Sequence, residues 1–213
     1  MLTSVSSAKY LGITLTEELS WSTHSNSVFK RANSTLGFLR RNLRRCPAKL
    51  KERAYISLVR SSMEYAAAVW DPHLKKDIHM LESVQRRAAR FAVGDYKTTS
   101  SVTQMLHDLG WKDLQHRRRD LRLAMMYKIC TGHVGIGPQD VGREGADERT
   151  RANHKFKFRV KGGSSPALRH SFAVRTGSEW NRLPETTVRQ ETPEAFKAEL
   201  ARQAPAIATA HAP

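Results

Sequence analysis

Apolar residues recur at every third or fourth position through the first two thirds of the chain, and this spacing constrains the fold more than any other feature. Between about Thr23 and Leu43 the repeat consists of Val28, Ala32, Thr35, Leu36, Leu39 and Leu43. Residues at this spacing share one face of a helix, and that face must be buried against other elements. The pattern therefore predicts a mainly α fold with a helical domain over residues 23–131.

Breaks in the pattern separate the predicted helices. A second helix is predicted to open at Pro47 and to continue toward Trp70, where Asp71-Pro72 ends it, because the residue before a proline disfavours the helical region. Further helices are predicted from about 75 to 92, from Ser100 or Ser101 to Leu109, and from Asp113 to about Cys130.

The ends of the chain have a different pattern. Residues 1–22 contain one predicted strand, Lys9 to Leu15, for which no partner is evident, so we expect the chain to begin partway through a larger protein. Residues 132–150 read as a linker and 151–203 as a small α+β region with strands at 154–160 and 171–175. A helix is predicted to start at Thr192-Pro193-Glu194, and residues 204–213 read as a disordered tail.

Charge points to the class of partner. The chain carries 36 lysines and arginines against 20 acidic residues, a formal net charge of +16. Such a surplus attracts polyanions, and contacts to phosphates are favoured because they release condensed counterions. Nucleic acid is therefore the leading candidate partner, and an anionic membrane surface is the second. No apolar run approaches the ~20 residues of a membrane-spanning helix. Of the two candidates we expect nucleic acid, and no membrane partner.

Basic clusters on the predicted helices are the candidate binding residues. The alternative for each cluster is a solvated helix face, but several clusters that all lack compensating acids favour phosphate contact. An alternating basic and aromatic stretch near residue 156 could hold phosphates and stack bases, or could equally be an ordinary amphipathic strand. The candidates are Lys30, Arg40, Arg41, Arg44, Arg86, Arg87, Arg90, Arg117, Arg118, Arg119, Lys155 and Lys157.

Signals for catalysis are missing from the sequence. The aspartates are scattered rather than paired on a strand, and no glycine-rich phosphate loop is present. Cys130 and His133 have the spacing of half a zinc site, but a second close pair is absent, which favours a free thiol. Two cysteines without a disulfide framework fit a reducing, intracellular compartment. We therefore expect no catalytic residues and no metal ligands in this chain.

Short motifs follow one another along nearly the whole chain. The most specific are Glu64-Tyr65-Ala66 through Val69-Trp70-Asp71-Pro72, and Val84-Gln85-Arg86-Arg87-Ala88-Ala89-Arg90-Phe91. In order and spacing, the set resembles the C-terminal part of non-LTR retrotransposon (LINE-type) reverse transcriptases, especially the jockey-like branch. The full set is 9–15 with Trp21 and His24, Ala32 with 36–43, 64–72, 84–91, 100–111, 149–151, 171–176, 180–184 and 196–197.

The resemblance implies a role for each part of the chain. It implies the end of the palm, where Tyr10, Leu11 and Gly12 would help to seat the primer terminus, then a helical thumb that grips the template–primer, then a C-terminal region. The catalytic aspartates and their Mg²⁺ would belong to a palm upstream of this chain. The implied partners are RNA, DNA and that palm, in the nucleus or a cytoplasmic ribonucleoprotein. The chain departs from the family at Ala173-Val174, where the family usually has Phe-Pro, and at Gly177, where the family has a bulkier residue.

Two other functions remain open at this point. An independent basic module, an RNA-binding or scaffold protein with no polymerase role, would use the same helices to bind a partner. A membrane-surface protein would need exposed apolar side chains beside the basic faces. The position of the arginines after the helices pack discriminates between these functions.

Overall fold

The computed structural model describes residues 5–141, 156–160 and 165–208, and it is mainly helical, as the apolar spacing predicts. The chain divides into two compact units, Met1–Arg118 and Arg119–Pro213. Each unit has its own apolar core. The division falls inside a helix, thirteen residues before the predicted end of the helical domain at residue 131.

The bounds of the elements are as follows. The first unit contains β1 (Ser7–Tyr10), β2 (Ile13–Thr16), α1 (Ser22–Asn42), α2 (Ala48–Ala54), a π-helical turn (Tyr55–Arg60), α3 (Ser61–Glu64), α4 (Ala67–Trp70), α5 (Lys75–Val93) and α6 (Val102–Asp108). Helix α7 (Leu114–Cys130) spans the division. The second unit continues with a 3₁₀ turn (Pro138–Val141), α8 (Pro166–Arg169), α9 (Phe172–Trp180), α10 (Glu185–Val188) and α11 (Pro193–Ala208).

The N-terminal strand region is a hairpin, and the prediction of a single strand was wrong. Strand β1 pairs antiparallel with β2, with Tyr10 opposite Ile13. Leu11 and Gly12 form the turn with φ angles of 45° and 83°. Positive φ at both central residues is the mark of a type I′ turn, which suits the twist of a hairpin. The strand therefore finds its partner within the chain, directly after a two-residue turn. The alternation of apolar residues continues across this turn and gives no sign of it.

A buried histidine joins the hairpin to α1. The Nδ1 atom of His24 accepts a hydrogen bond of 3.2 Å from the backbone N–H of Thr14 in β2. Burial, and then the positive charges of Arg31 and Lys9, lowers the pKa of His24. The neutral imidazole that this favours is the form that can accept the Thr14 bond.

The predicted apolar face of α1 forms the core of the first unit. Val28, Ala32, Leu36 and Leu39 are all buried, and α1 packs along α5. From α5 the core receives Leu81, Val84, Ala88 and Phe91, as the apolar spacing of that helix predicts. The spacing of apolar residues along the chain therefore identified the faces by which α1 and α5 contact each other.

The segment before Asp71 is more broken than its spacing predicts. The helix ends at Glu64, and Ala66 takes a left-handed conformation with φ 51° before α4 starts. Trp70 is fully buried, and its indole N–H donates to the Tyr65 carbonyl at 2.7 Å. That bond satisfies a carbonyl left open by the interruption. The predicted break at Asp71-Pro72 is confirmed.

The second unit is built around Trp180, and the strands predicted for it were wrong within the described residues. Residues 171–175 lie at the start of α9, and 156–160 form no strand. The backbone of Phe158 pairs with the side chain of Asn181, through bonds of 2.9 and 2.8 Å. An amide side chain thus replaces the neighbouring strand that the alternation of Phe156 and Phe158 led us to expect.

Two further features complete the second unit. Gly177 faces the 156–160 segment, and a Cβ there would lie 3.2 Å from Cγ2 of Val160, so this departure from the resembled family permits close packing. Thr192 caps α11 by accepting the Ala195 N–H at 3.1 Å, as predicted. The helix then continues to Ala208, past the predicted start of the tail at residue 204.

Candidate nucleic-acid interface

Three of the predicted arginines meet in one cleft. A cavity of about 500 Å³ is lined by Gly37, Arg40, Arg41, Arg44 and Tyr96, and we call it the arginine cleft. Arg40 and Arg41 are exposed in the last turn of α1, and Arg44 is exposed just after that helix. None of them forms an ion pair with a carboxylate among residues 5–141, 156–160 and 165–208. Their charge is therefore available to an anion from solution.

An aromatic side chain forms one wall of the arginine cleft. The guanidinium carbon of Arg40 lies 5.3 Å from the centre of the Tyr96 ring, which is the geometry of a cation–π contact. Tyr96 nevertheless remains 52% exposed. The cleft thus combines groups that bind phosphate with a face on which a planar group can stack.

The turn that carries Tyr96 is held by hydrogen bonds. Helix α5 ends at Gly94, which has φ 79°, and the Asp95 carboxylate then accepts the Lys97 N–H at 2.9 Å. Hydrogen bonds from the Ser100 side chain and from the Lys97 backbone lower the pKa of Asp95. Because that carboxylate stays ionised at neutral pH, the turn keeps its shape there.

Arg87 and Arg90 serve the structure around the cleft. Arg87 donates to Asn33 Oδ1 on α1 at 2.7 Å and lies over the Phe29 ring, which ties α5 to α1. Arg90 donates to the Lys97 carbonyl at 2.8 Å, in the turn that carries Tyr96. These two predicted candidates therefore position the cleft instead of lining it.

Lys30 and Arg86 are exposed on α1 and α5. Neither lines the arginine cleft. The structure therefore leaves them as candidates for more distant phosphate contacts, without placing them in a common site.

The Arg117–Arg119 cluster does not form an open cationic face, and the expectation that these arginines lack compensating acids was wrong. Arg117 makes a two-pronged pair with Glu64, through Nε to Oε1 and through Nη2 to Oε2 at 3.0 Å. Arg118 is buried and pairs with Asp71 at 2.9 Å. Arg119 lies 3.7 Å from Glu179 within the second unit. Carboxylates from other elements thus explain why arginines occupy the unfavourable N-terminal end of α7.

The remaining predicted binding residues are placed as follows. Lys155 lies outside the described residues, and Lys157 is half-buried in the segment that contacts Trp180 and Asn181. The alternating stretch near residue 156 is thus largely a packing segment, because Phe158 is buried in the core of the second unit.

The residues that the resemblance assigns to primer seating lie at the hairpin tip. Tyr10 and Leu11 are 68% and 71% exposed. The Leu11 carbonyl accepts a hydrogen bond of 3.2 Å from the hydroxyl of Tyr65, and a Cβ on Gly12 would lie 3.7 Å from that ring. The tip is therefore accessible and is braced by the segment before α4.

Sequence reasoning missed two residues of the cleft, Tyr96 and Gly37. Tyr96 directly follows Gly94-Asp95, residues that often end a helix, and an aromatic residue between the charged Asp95 and Lys97 was the available clue. Gly37 is a poor helix former inside a long helix, which signals a need for space or close approach. Both clues become meaningful only once α1 and the end of α5 are side by side.

We predict that Gly37→Ala raises the free energy of unfolding by about 0.5–1 kcal/mol, because alanine is the better helix former. The added methyl would lie 3.6 Å from Nη1 of Arg41, an ordinary contact. Hydrogen exchange of the α1 amides measures the effect. Gly94→Ala is the matched control and should lower stability, because Gly94 has φ 79°. A lower stability for Gly37→Ala would contradict the conclusion that the helix at position 37 has room for a methyl group.

The described residues also bear on metal sites, thiols and membrane-spanning helices. In that part of the chain, His, Cys, Asp and Glu side chains do not gather in threes or more in a way that could hold a metal ion. Neither Cys46 nor Cys130 forms a disulfide among the described residues, and His133 bonds to Thr131 at 2.8 Å. Within the same residues, no helix is both long and apolar enough to cross a membrane.

Fold and site together define a strongly basic, mainly helical protein with an arginine-lined cleft. Comparison of the chain with family models, with curated proteins and with solved structures gives no match. The assignment of a function therefore rests on the cleft and on the motif resemblance.

Proposed function

We propose that this chain binds nucleic acid by placing backbone phosphates in the arginine cleft, as a non-catalytic, thumb-like part of a non-LTR retrotransposon reverse transcriptase. The observation that carries the proposal is the convergence of Arg40, Arg41 and Arg44 without carboxylate partners among the described residues. Guanidinium groups bind phosphate oxygens in two-pronged geometry, so three in one cleft suit a phosphate backbone.

The resemblance supports the polymerase context. The 36–43 motif contains Gly37, Arg40 and Arg41, which line the cleft together with Arg44. The 84–91 motif contains Arg87, which bonds to α1, and Arg90, which bonds to the turn that carries Tyr96. The expected partners are an RNA–DNA hybrid and an upstream palm with its Mg²⁺. The proposal assigns binding and no chemical step to this chain.

A salt titration tests the proposal. We expect a labelled RNA–DNA hybrid to bind with an affinity that falls steeply as salt rises, by about 0.9 log units per log unit of salt for each phosphate neutralised. Arg41→Gln/Arg44→Gln should therefore reduce that slope by about two. Fluorescence anisotropy measures both quantities.

The control removes the same charge elsewhere. Arg31→Gln/Arg53→Gln changes two exposed arginines that do not line the cleft. We expect this control to keep nearly the wild-type slope. Equal slopes for the two double variants, or a wild-type protein that does not bind the hybrid, would contradict the proposal.

An independent basic RNA-binding module is the second candidate. It is favoured by one observation, that the complete cleft lies within the first unit and requires no other domain. Comparable affinity for RNA duplex, DNA duplex and hybrid would support this candidate. A preference for the hybrid would support the polymerase context.

A further inference from the structure

The arginine cleft offers more than a row of charges. Paired nucleic acid presents its phosphates outside and keeps its base faces stacked inside, so arginines alone would serve a duplex. This cleft adds the ring of Tyr96, which is 52% exposed and is carried by the turn after α5. An exposed aromatic ring beside cations is the combination that binds a base and its phosphate together.

The Tyr96 ring is arranged in advance of any ligand. Arg40 lies over it at 5.3 Å, which restricts the ring while leaving about half of its surface accessible. Its backbone turn is fixed by two bonds to Lys97, from Arg90 to the carbonyl and from the N–H to Asp95. A ring that is already held loses little conformational freedom on binding, so stacking contributes more of its energy to affinity.

The size of the cleft limits what can enter it. A volume of about 500 Å³ lies within the range, about 300–1,000 Å³, of pockets that hold a small organic ligand. One nucleotide fits this range, whereas a base pair within a stacked duplex cannot place a base face against Tyr96. Gly37, which has no side chain, keeps the α1 side of the cleft open.

We propose that the arginine cleft binds a single-stranded segment of nucleic acid, with one unpaired base stacked on Tyr96 and the adjoining phosphates on Arg41 and Arg44. This proposal rests on the proposed function, since both require phosphates in the same cleft. It adds what the Tyr96 side of the cleft takes: an unpaired base, as at an overhang or a junction beside the hybrid, in addition to the phosphates.

The test compares Tyr96→Leu with Tyr96→Phe on four probes. They are oligothymidylate, oligouridylate, a blunt RNA–DNA hybrid, and the same hybrid with a single-stranded overhang. We expect Tyr96→Leu to bind both single strands and the overhang about tenfold more weakly, because it removes the stacking surface. Tyr96→Phe keeps the ring and should bind nearly as wild type. The blunt hybrid should be affected less than twofold by either variant.

A second readout reports on stacking directly. A 2-aminopurine base placed in the oligothymidylate strand should lose fluorescence on binding to wild type and to Tyr96→Phe, and should lose much less on binding to Tyr96→Leu. Circular dichroism of each variant controls for folding, which we expect to be retained because Tyr96 is half exposed.

The outcomes separate the two proposals. If Tyr96→Leu binds single strands as wild type does, while Arg41→Gln/Arg44→Gln weakens binding, the single-strand proposal is overturned and the proposed function stands. Equal weakening on the blunt hybrid and on single strands would also overturn it, because the ring would then act on the cleft as a whole. Failure of wild type to bind any of the four probes would overturn both.

Discussion

Asp71→Ala is expected to lower the free energy of unfolding of the first unit by about 3–5 kcal/mol, because it leaves a charged guanidinium buried without its partner. The side chains of Arg118 and Asp71 are only 1% and 3% exposed, and their Nε and Oδ1 atoms lie 2.9 Å apart. The Nη1 and Nη2 atoms of Arg118 are buried and have no hydrogen-bond partner among the described residues. Asp71 is therefore the main compensation for that charge.

Hydrogen exchange of the α1 and α5 amides measures this effect, because slow exchange in the core of a unit reports its opening free energy. The double variant Asp71→Ala/Arg118→Met is the informative control. It removes both charges and puts an apolar side chain in the buried space, so it should recover most of the lost stability. A single variant within about 1 kcal/mol of wild type would contradict the assigned role.

Trp180→Ala is expected to destabilise the second unit by about 3–5 kcal/mol, the usual cost of removing a large buried aromatic. Trp180 is 1% exposed and meets Phe158 edge-on, with ring centres 6.2 Å apart. Its ring centre lies 5.8 Å from that of Phe196 in α11. Its N–H donates to the Phe156 carbonyl at 2.7 Å. One residue thus connects α9, α11 and the 156–160 segment.

Peptide-resolved hydrogen exchange localises this effect. The amides of α9 and α11 should exchange much faster in Trp180→Ala. Trp180→Phe keeps an aromatic ring but loses the bond to Phe156, so it should give an intermediate effect. Wild-type exchange rates in α9 and α11 of the alanine variant would show that Trp180 does not organise this unit.

The outward position of Arg40, Arg41 and Arg44 could be predicted from the sequence. Once Leu36 and Leu39 define the buried side of α1, period alone assigns the exposed side. Their gathering around Tyr96 could not be predicted, because it depends on how the end of α5 lies beside α1. For the same reason Arg87 and Arg90 read as binding residues, although they bond to Asn33 and Lys97.

The strand predictions show a second limit. Alternation at 154–160 correctly indicated a buried side, since Phe158 is buried. It does not indicate which groups form hydrogen bonds with the backbone of the segment. Here the partner is the side chain of Asn181, 23 positions along the chain. At the N-terminus the partner is a strand and lies close in the chain, since β1 pairs with β2 directly after the Leu11-Gly12 turn.

The sequence by itself determined the mainly helical class, the buried faces of α1 and α5, the break at Asp71-Pro72 and the excess of positive charge. These follow from interactions between residues a few positions apart, or from composition alone. The tertiary structure decided which arginines remain available. The partners of Arg117 and Arg118, Glu64 and Asp71, lie 53 and 47 positions away in the chain. Only folding brings such charges within reach of one another. It brings no carboxylate among the described residues to Arg40, Arg41 and Arg44, so the charges that line the cleft stay unpaired.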